Sequence, residues 1–454
     1  MERKNLKFSL FKLALILTIS EACIFASCDK NDFRDERHTQ EDAADVAYDW
    51  IKMQRIVLAG TPGILPHVAG RTYAYMGLTL YESIVPGMKD YQSIASQLNG
   101  ELVLPSAGEE KQYYWPASAN TALAYMLKNL LPHTTPGLLA AVDSLQAHYT
   151  KQFESQTDAE TLQRSDDFGK QVATAIFEWS KTDGGHEAYK NPFSDTYVPP
   201  TGPGKWVATG EFPFSKPVYP FWGDNRTFVP GLSEATQPPP PPAYSETPKS
   251  EFFEAVNEIF TMSQNLTRED SLTTKFWAYV LLDPDQPAVY GDVSHAANIA
   301  TQIMMLKGFS LQDAAVLYCK HGMAGNEAAI SCVRTKFNYN LVRPITYIRT
   351  VMGHPEWKPV VVTPPFPEYT SAHATISMAN ATVLEDAFGK NFAFTDHTFD
   401  DTYGPRSFDS FEAYANEAAL SRLQGGIHYR FSMDEGLKQG KKVAEKVLEL
   451  KFKK

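Results

Sequence analysis

Thr135-Pro136-Gly137-Leu138-Leu139-Ala140-Ala141-Val142-Asp143-Ser144-Leu145-Gln146-Ala147-His148-Tyr149 carries the pattern that decides the fold. A hydroxyl residue followed by proline opens a helix: the hydroxyl caps an orphan N–H, and a first-turn proline has no N–H to lose. Behind this opening Leu138, Val142, Leu145 and Tyr149 fall at i, i+4, i+7 and i+11. That spacing draws one apolar stripe along a helix and would scatter over both faces of a strand. Thr157 with Glu160, and Thr267 with Asp270, read as further N-terminal capping pairs. Similar stretches begin near residues 40, 69, 116, 250, 294, 310, 372, 410 and 434. No apolar–polar alternation is sustained, and no Asn-Gly turn joins β-branched runs. The expected class is all-α, a large helical bundle.

One segment interrupts the helical period. Between residues 190 and 245 stand Pro199-Pro200, Gly202-Pro203-Gly204 and five consecutive prolines, Pro238 to Pro242. Such density forbids continuous helix. Yet Trp206, Phe212, Phe214, Tyr219, Phe221, Trp222 and Phe228 lie there too, so the segment is expected to be a long loop pinned onto the helical body. The expected organisation is a helical part at 39–190, this loop at 191–248 and a C-terminal helical domain at 249–454.

The N-terminus has a different character. Arg3, Lys4, Lys7 and Lys12 precede the short apolar run Leu13 to Ile19, and Phe25-Ala26-Ser27-Cys28 follows. The run is shorter than the ~18–20 residues a membrane span requires, and the layout is that of a secretory signal. Its ending resembles a bacterial lipobox, so residues 1–27 are expected to be a signal peptide, Cys28 the lipidated residue and 28–38 a polar tether. The expected location is outside the cytoplasmic membrane, anchored through lipid alone.

Composition narrows the function classes. With Lys+Arg 42 against Asp+Glu 53, the net charge is −11. This is a poor basis for sequence-independent nucleic-acid binding, which needs a basic face. At 43% hydrophobic and 21% charged residues the chain has globular rather than disordered composition. Beyond Cys23 and Cys28 only Cys319 and Cys332 remain, which make neither a disulfide framework nor a CxxC metal spacing. His186-Glu187 lacks the second histidine of a zincin helix, and no GxxxxGK, GxGxxG or GxSxG element occurs.

Three stretches of the last third could carry chemistry. In Lys336-Phe-Asn-Tyr-Asn-Leu-Val-Arg343-Pro344, a helix would turn through about 700° between the two cations and put them on one face. Pro344 suggests that this helix ends at Arg343. In Phe366-Pro367-Glu368-Tyr369-Thr370-Ser371-Ala372-His373, a hydroxyl caps the apolar-rich helix that follows. Its first-turn N–H groups, the hydroxyl and His373 make an anion site. In Ser421-Arg422-Leu-Gln-Gly425-Gly426-Ile-His428, two glycines end a helix and let His428 turn back. Singly, each has a bland reading: a solvated charge pair, a capped helix, a glycine C-cap.

Taken in order and spacing, they resemble the KxxxxxxRP, PSGH and SRxxxGxH signature of the vanadium-dependent haloperoxidase and type 2 phosphatidic acid phosphatase superfamily. Trp357 through Pro367, Gly202-Pro-Gly-Lys-Trp206, and Trp222-Gly with Phe228 are similar to its soluble, haloperoxidase-type branch. The resemblance spans most of residues 40–450 and implies an all-helical fold with the active site in the C-terminal bundle. It further implies an oxyanion pocket, for phosphate or vanadate. There Lys336, Arg343 and Arg422 neutralise oxygens, and Ser371 with the N–H groups of Ala372 and Gly426 donates hydrogen bonds. His428 would attack phosphorus or coordinate vanadium, and His373 would act as acid–base. Vanadate is the implied cofactor of a haloperoxidase using peroxide and halide; a phosphatase acting on phosphomonoesters needs none, and a non-catalytic anion-binding lipoprotein is the third reading. Departures exist. Ala372 replaces the motif glycine, Ser432 stands where an acidic residue often follows the last histidine, with Asp434 two further on, and Val333 stands where a halide-side tryptophan is expected. Phe366 occupies the position where chloroperoxidase-like members carry phenylalanine and bromoperoxidases histidine.

Overall fold

Side-chain caps open many of the helices among the described residues. Thr135 accepts the Leu138 N–H at 3.3 Å, Ser250 the Phe253 N–H at 3.2 Å and Ser410 the Ala413 N–H at 3.0 Å. Thr267 and Asp270 form a reciprocal capping box. At the Thr157 site the cap lies one residue later: Asp158 accepts the Thr161 N–H at 2.9 Å, because a carboxylate is as good an acceptor as a hydroxyl there.

The computed structural model describes residues 42–454, except 109–110, 212–214 and 279–291. Residues 1–27, Cys28, the 28–38 tether, Phe212 and Phe214 lie outside the described residues. The first helices are α1 (Asp42–Gly60), α2 (Pro66–Ile84), α3 (Trp115–Leu130), α4 (Pro136–Phe153) and α5 (Ala159–Ser180). After the proline-rich loop and its short α6 (Leu232–Ala235) come α7 (Glu251–Ser263), α8 (Arg268–Phe276), α9 (Asp292–Lys307) and α10 (Leu311–Tyr339). The last are α11 (Pro344–Thr350), α12 (Ala372–Phe388), α13 (Phe411–Gln424) and α14 (Arg430–Leu448). The fold is all-α apart from β1 (Phe394–Asp396) paired antiparallel with β2 (Arg406–Phe408). Those three-residue strands are too short to show alternation in the sequence.

The 29-residue α10 is the central post. It packs along α2 on one side and against α12 and α14 on the other, which joins both halves to one core. The α2 contact is close enough to require glycine on both helices. A Cβ on Gly77 would sit 2.5 Å from the Tyr318 carbonyl oxygen, and one on Gly322 would sit 2.6 Å from that of Tyr73. Gly77→Ala is therefore expected to force the backbones apart and destabilise the fold by about 1–3 kcal/mol; an unchanged denaturant midpoint would show the contact to be slack.

The proline-rich loop lies across the C-terminal end of α10. Trp206 N–H donates to the Asn340 carbonyl at 2.8 Å, Val342 N–H to that of Gly204 at 2.9 Å, and Val218 N–H to that of Pro365 at 2.9 Å. The Glu211 carboxylate accepts the Thr363 N–H at 2.9 Å. Buried Trp206, Trp222 and Phe228 anchor it. The loop thus walls the end of the bundle where the three motif stretches meet. Among the described residues no helix is long and apolar enough to cross a membrane.

Candidate active site

Lys336 sits in the last turn of α10, but the helix does not run on to Arg343. It stops at Tyr339, and Asn340 takes a left-handed conformation, φ 48°, which asparagine tolerates better than most residues. Arg343 is extended and caps α11 ahead of Pro344. The two cations therefore converge through a turn, not along one helical face as the spacing alone predicts. Both are fully buried.

Neither cation is held by a carboxylate. The Lys336 ammonium donates to the carbonyls of Pro367 at 3.3 Å, Glu368 at 2.8 Å and Thr370. Arg343 donates from Nε to the Phe366 carbonyl at 2.9 Å and from Nη1 to that of Ile427 at 2.9 Å. Its Nη2 is buried with no hydrogen-bond partner. The Phe366 ring lies 5.2 Å from the Lys336 ammonium and 5.1 Å from the Arg343 guanidinium carbon, a cation–π arrangement with both. Burial lowers Lys336 to about 8 and Arg343 to about 10, with their mutual repulsion adding to the Lys336 shift.

Ser371 caps α12, its hydroxyl accepting the Ala374 N–H at 3.5 Å, so Ala372 and His373 form the first turn beside the positive end of the helix dipole. His373 Nε2 donates to the Trp277 carbonyl at 2.9 Å. A carbonyl can only accept, so this bond puts the ring proton on Nε2 and makes Nδ1 the acceptor atom. Trp277 is itself fixed: its indole N–H reaches Glu417 at 2.9 Å, and its ring packs on His295 and Tyr414. His295 is hydrogen-bonded to Asp396, the residue β1 supplies.

Arg422 closes α13, donating from Nη2 to the Thr274 carbonyl at 2.9 Å and from Nε to Ser421 Oγ at 3.0 Å. Gly425 caps the helix, and Gly426 turns the chain at φ 78°, a conformation costly for any residue with a Cβ. His428, buried, thereby turns back: its Nε2 lies 3.3 Å from Arg343 Nη1. Its pKa falls well below the usual value, through burial first and then Arg343, Lys336, His373 and Arg422. His373 is shifted the same way, by burial and then Arg422. The three cations and two histidines thus share one electrostatic neighbourhood.

One acid lies inside that neighbourhood. Glu368 is fully buried, and its Oε1 accepts from His428 Nδ1 at 2.7 Å and from the Tyr429 N–H at 3.0 Å. Burial raises its pKa to about 7, against the pull of Arg343 and Lys336. Of the two positions expected to matter after the last histidine, Ser432 is buried and its carbonyl accepts the Ser371 N–H at 3.0 Å. Asp434 is exposed and faces Arg430. Sequence spacing missed Glu368 because it reaches His428 across the fold. The available signal was an acid in the otherwise uncharged run between Lys358 and His373. Cys319 and Cys332 are buried and free.

Comparison places this geometry in a family. A model of the VCPO second helical-bundle domain matches residues 316–453. The chain resembles the crystal structure of "the first bacterial vanadium dependant iodoperoxidase" at 30% identity and TM-score 0.77, covering 89% of this chain and 95% of that one. The holo form of a bacterial vanadium-dependent chloroperoxidase matches at 17% identity and TM-score 0.66, over 87% of this chain and 94% of that one. The apo form matches at 16% identity and TM-score 0.64, over 85% and 92%. No curated protein matches the chain. Bundle, motif residues and this relationship agree: the chain is an enzyme of the vanadium-dependent haloperoxidase superfamily.

Proposed function

We propose that the protein is a vanadate-dependent haloperoxidase, in which peroxide is reduced to water as a halide loses two electrons to become hypohalous acid. The observation that carries this reading is the setting of His428. Glu368 accepts a hydrogen bond from Nδ1–H, so the Nε2 lone pair faces the space beside Arg343. A carboxylate behind an imidazole fixes the tautomer and raises the basicity of the other nitrogen.

The donor set fits vanadate. The described residues hold no cluster of three or more His, Cys, Asp or Glu side chains suited to a bare metal cation. An oxyanion needs instead one imidazole and several cationic donors, and the unpartnered Arg343 Nη2 is such a donor. His428 Nε2 would hold the vanadium, with Lys336, Arg343, Arg422, Ser371 and the Ala372 N–H on its oxygens; the Gly426 N–H, expected among them, instead donates to the Leu423 carbonyl at 2.9 Å and closes the turn. When bound, vanadate supplies Lewis-acid activation of peroxide. Fixed cations stabilise charge without reorganising, usually the largest catalytic contribution. His373, neutral and proton-bearing at Nε2, takes up a peroxide proton at Nδ1.

Oxidation of iodide or a halide-sensitive dye by hydrogen peroxide should depend on added vanadate. Hydrolysis of a chromogenic phosphomonoester, inhibited by vanadate and without halide oxidation, would overturn this reading in favour of a phosphatase. The same reading predicts a pH signature. Glu368 is protonated below about 7 and ionised above it, so turnover should rise through that pH as the carboxylate comes to support His428. Glu368→Gln should flatten this limb and lower vanadate affinity by roughly 10–100-fold. An unchanged pH profile would remove Glu368 from the mechanism. The raised pKa also means that this carboxyl's contribution to stability falls as pH climbs from its unfolded value of about 4.5 to about 7.

A further inference from the structure

Two residues of the pocket are held by the end of one short helix. The last carbonyls of any helix lack partners within it and must find them elsewhere. At the end of α8 the Thr274 carbonyl accepts from Arg422 Nη2 at 2.9 Å, and the Trp277 carbonyl accepts from His373 Nε2 at 2.9 Å. The position of this helix end therefore decides where the acid–base residue and one cation stand.

Little of that placement comes from apolar packing. α8 has nine residues, of which Thr273, Thr274 and Phe276 are buried, and a helix of that length is marginal by itself. Polar ties fix it, chiefly to α13. Gln424 Nε2 donates to Asp270 Oδ1 at 2.6 Å, in the first turn of α8. At the other end the Trp277 indole N–H donates to Glu417 Oε1 at 2.9 Å. The same oxygen accepts from Arg406 Nε at 2.6 Å, while Arg406 Nη2 donates to Thr273 Oγ1 at 2.7 Å. Glu417 thus grips the end of α8 directly and through Arg406. Its side chain is 28% exposed, so it can be changed without opening the core.

We propose that Glu417 is the positioning residue of His373. By fixing the Trp277 indole, it sets the Trp277 carbonyl against the Nε2–H of His373 and keeps Nδ1 as the proton-accepting atom. This rests on His373 as the acid–base residue, a role that the haloperoxidase and phosphatase readings share. A neutral imidazole without a fixed acceptor divides between two tautomers, and the one protonated at Nδ1 cannot take a proton there. Anion binding should be spared. Arg422 stands on α13 itself, as Glu417 does, and keeps its bond to Ser421 Oγ at 3.0 Å.

The test compares three variants of the full chain. Glu417→Leu removes the acceptor, Glu417→Gln keeps an oxygen for the indole, and Trp277→Phe removes the donor but keeps a ring and the carbonyl. In Glu417→Leu and Trp277→Phe, kcat should fall about 10²-fold, as for a displaced catalytic group, with vanadate Kd unchanged. Glu417→Gln should restore most of that loss. The double variant Glu417→Leu/Trp277→Phe should lose no more than either single one, since both delete one contact. A second readout needs no turnover: 15N NMR of the histidine-labelled, vanadate-free protein. The His373 signals, identified by their loss in His373→Ala, should show one tautomer in the wild type and in Glu417→Gln, and a mixture in Glu417→Leu. Additive losses in the double variant, a vanadate Kd that worsens as much as kcat falls, or a single His373 tautomer in Glu417→Leu would overturn the proposal. A wild type that hydrolyses phosphate esters and oxidises no halide refutes the haloperoxidase reading alone; the variants are then scored on ester turnover, and the tautomer comparison stands unchanged.

Discussion

His428→Ala should leave no measurable turnover of halide or phosphate ester in a protein that keeps native helical circular dichroism. The imidazole is the one group in the pocket whose Nδ1 is fixed by a buried acid while its Nε2 adjoins Arg343, so no neighbour can take its place. Removing a ligand or nucleophile that acts as part of a unit costs on the order of 10³–10⁶ in kcat. The fold should survive, because His428 packs in a loop turn between α13 and α14 rather than within a helix. It should still weaken by about 1–3 kcal/mol, since Glu368 loses its strongest donor inside the protein. Added imidazole, entering the vacated space, should restore part of the activity. A variant with native circular dichroism and substantial activity would remove His428 from the centre of the mechanism.

Arg343→Ala has the second-largest expected effect, and it should show in binding before chemistry. Lys336 and Arg343 are both buried and burial shifts both downward, with the Arg343 charge adding at Lys336, so an oxyanion between them would stabilise two desolvated charges. Close like charges without a counter-anion cost several kcal/mol. Wild-type melting temperature should therefore climb with added vanadate or phosphate, following the logarithm of ligand concentration over Kd. Arg343→Ala should lose most of that rise, and its kcat/KM should fall by about 10²–10³, as when one preorganised charge-stabilising donor is removed. Arg343→Lys restores the charge without the fork of donors to Phe366 and Ile427, so it should recover only part. Equal anion-induced stabilisation of wild type and Arg343→Ala would contradict the assignment.

How far the sequence could be read depended on the range of the interaction. Caps and apolar stripes are local, and Thr135, Thr267, Ser371 and Ser410 open helices as their neighbours imply. The turn at Asn340 was not legible, because a left-handed asparagine leaves no periodic trace, and so Lys336 and Arg343 were expected on one helix. The glycine pair at 425–426 was legible as a turn, and it does deliver His428. Glu368 stands inside a motif stretch, yet it was not legible as the partner of His428, because the 60 positions between them are closed only by the fold. The short β1–β2 hairpin escaped notice, yet through Asp396 and His295 it braces Trp277, the residue that holds His373. Helix-forming signals were written locally; the second layer of the site was written in tertiary packing.

The central claim is that His428 Nε2, backed by Glu368 and surrounded by Lys336, Arg343 and Arg422, is where the oxyanion binds. A crystal structure of the full chain with vanadate tests it most directly. The account predicts vanadium attached to His428 Nε2, its oxygens on the three cations and the Ser371 hydroxyl, and His373 adjacent but unattached. Vanadium attached to His373 instead, or absent from this pocket at saturating vanadate, would contradict it.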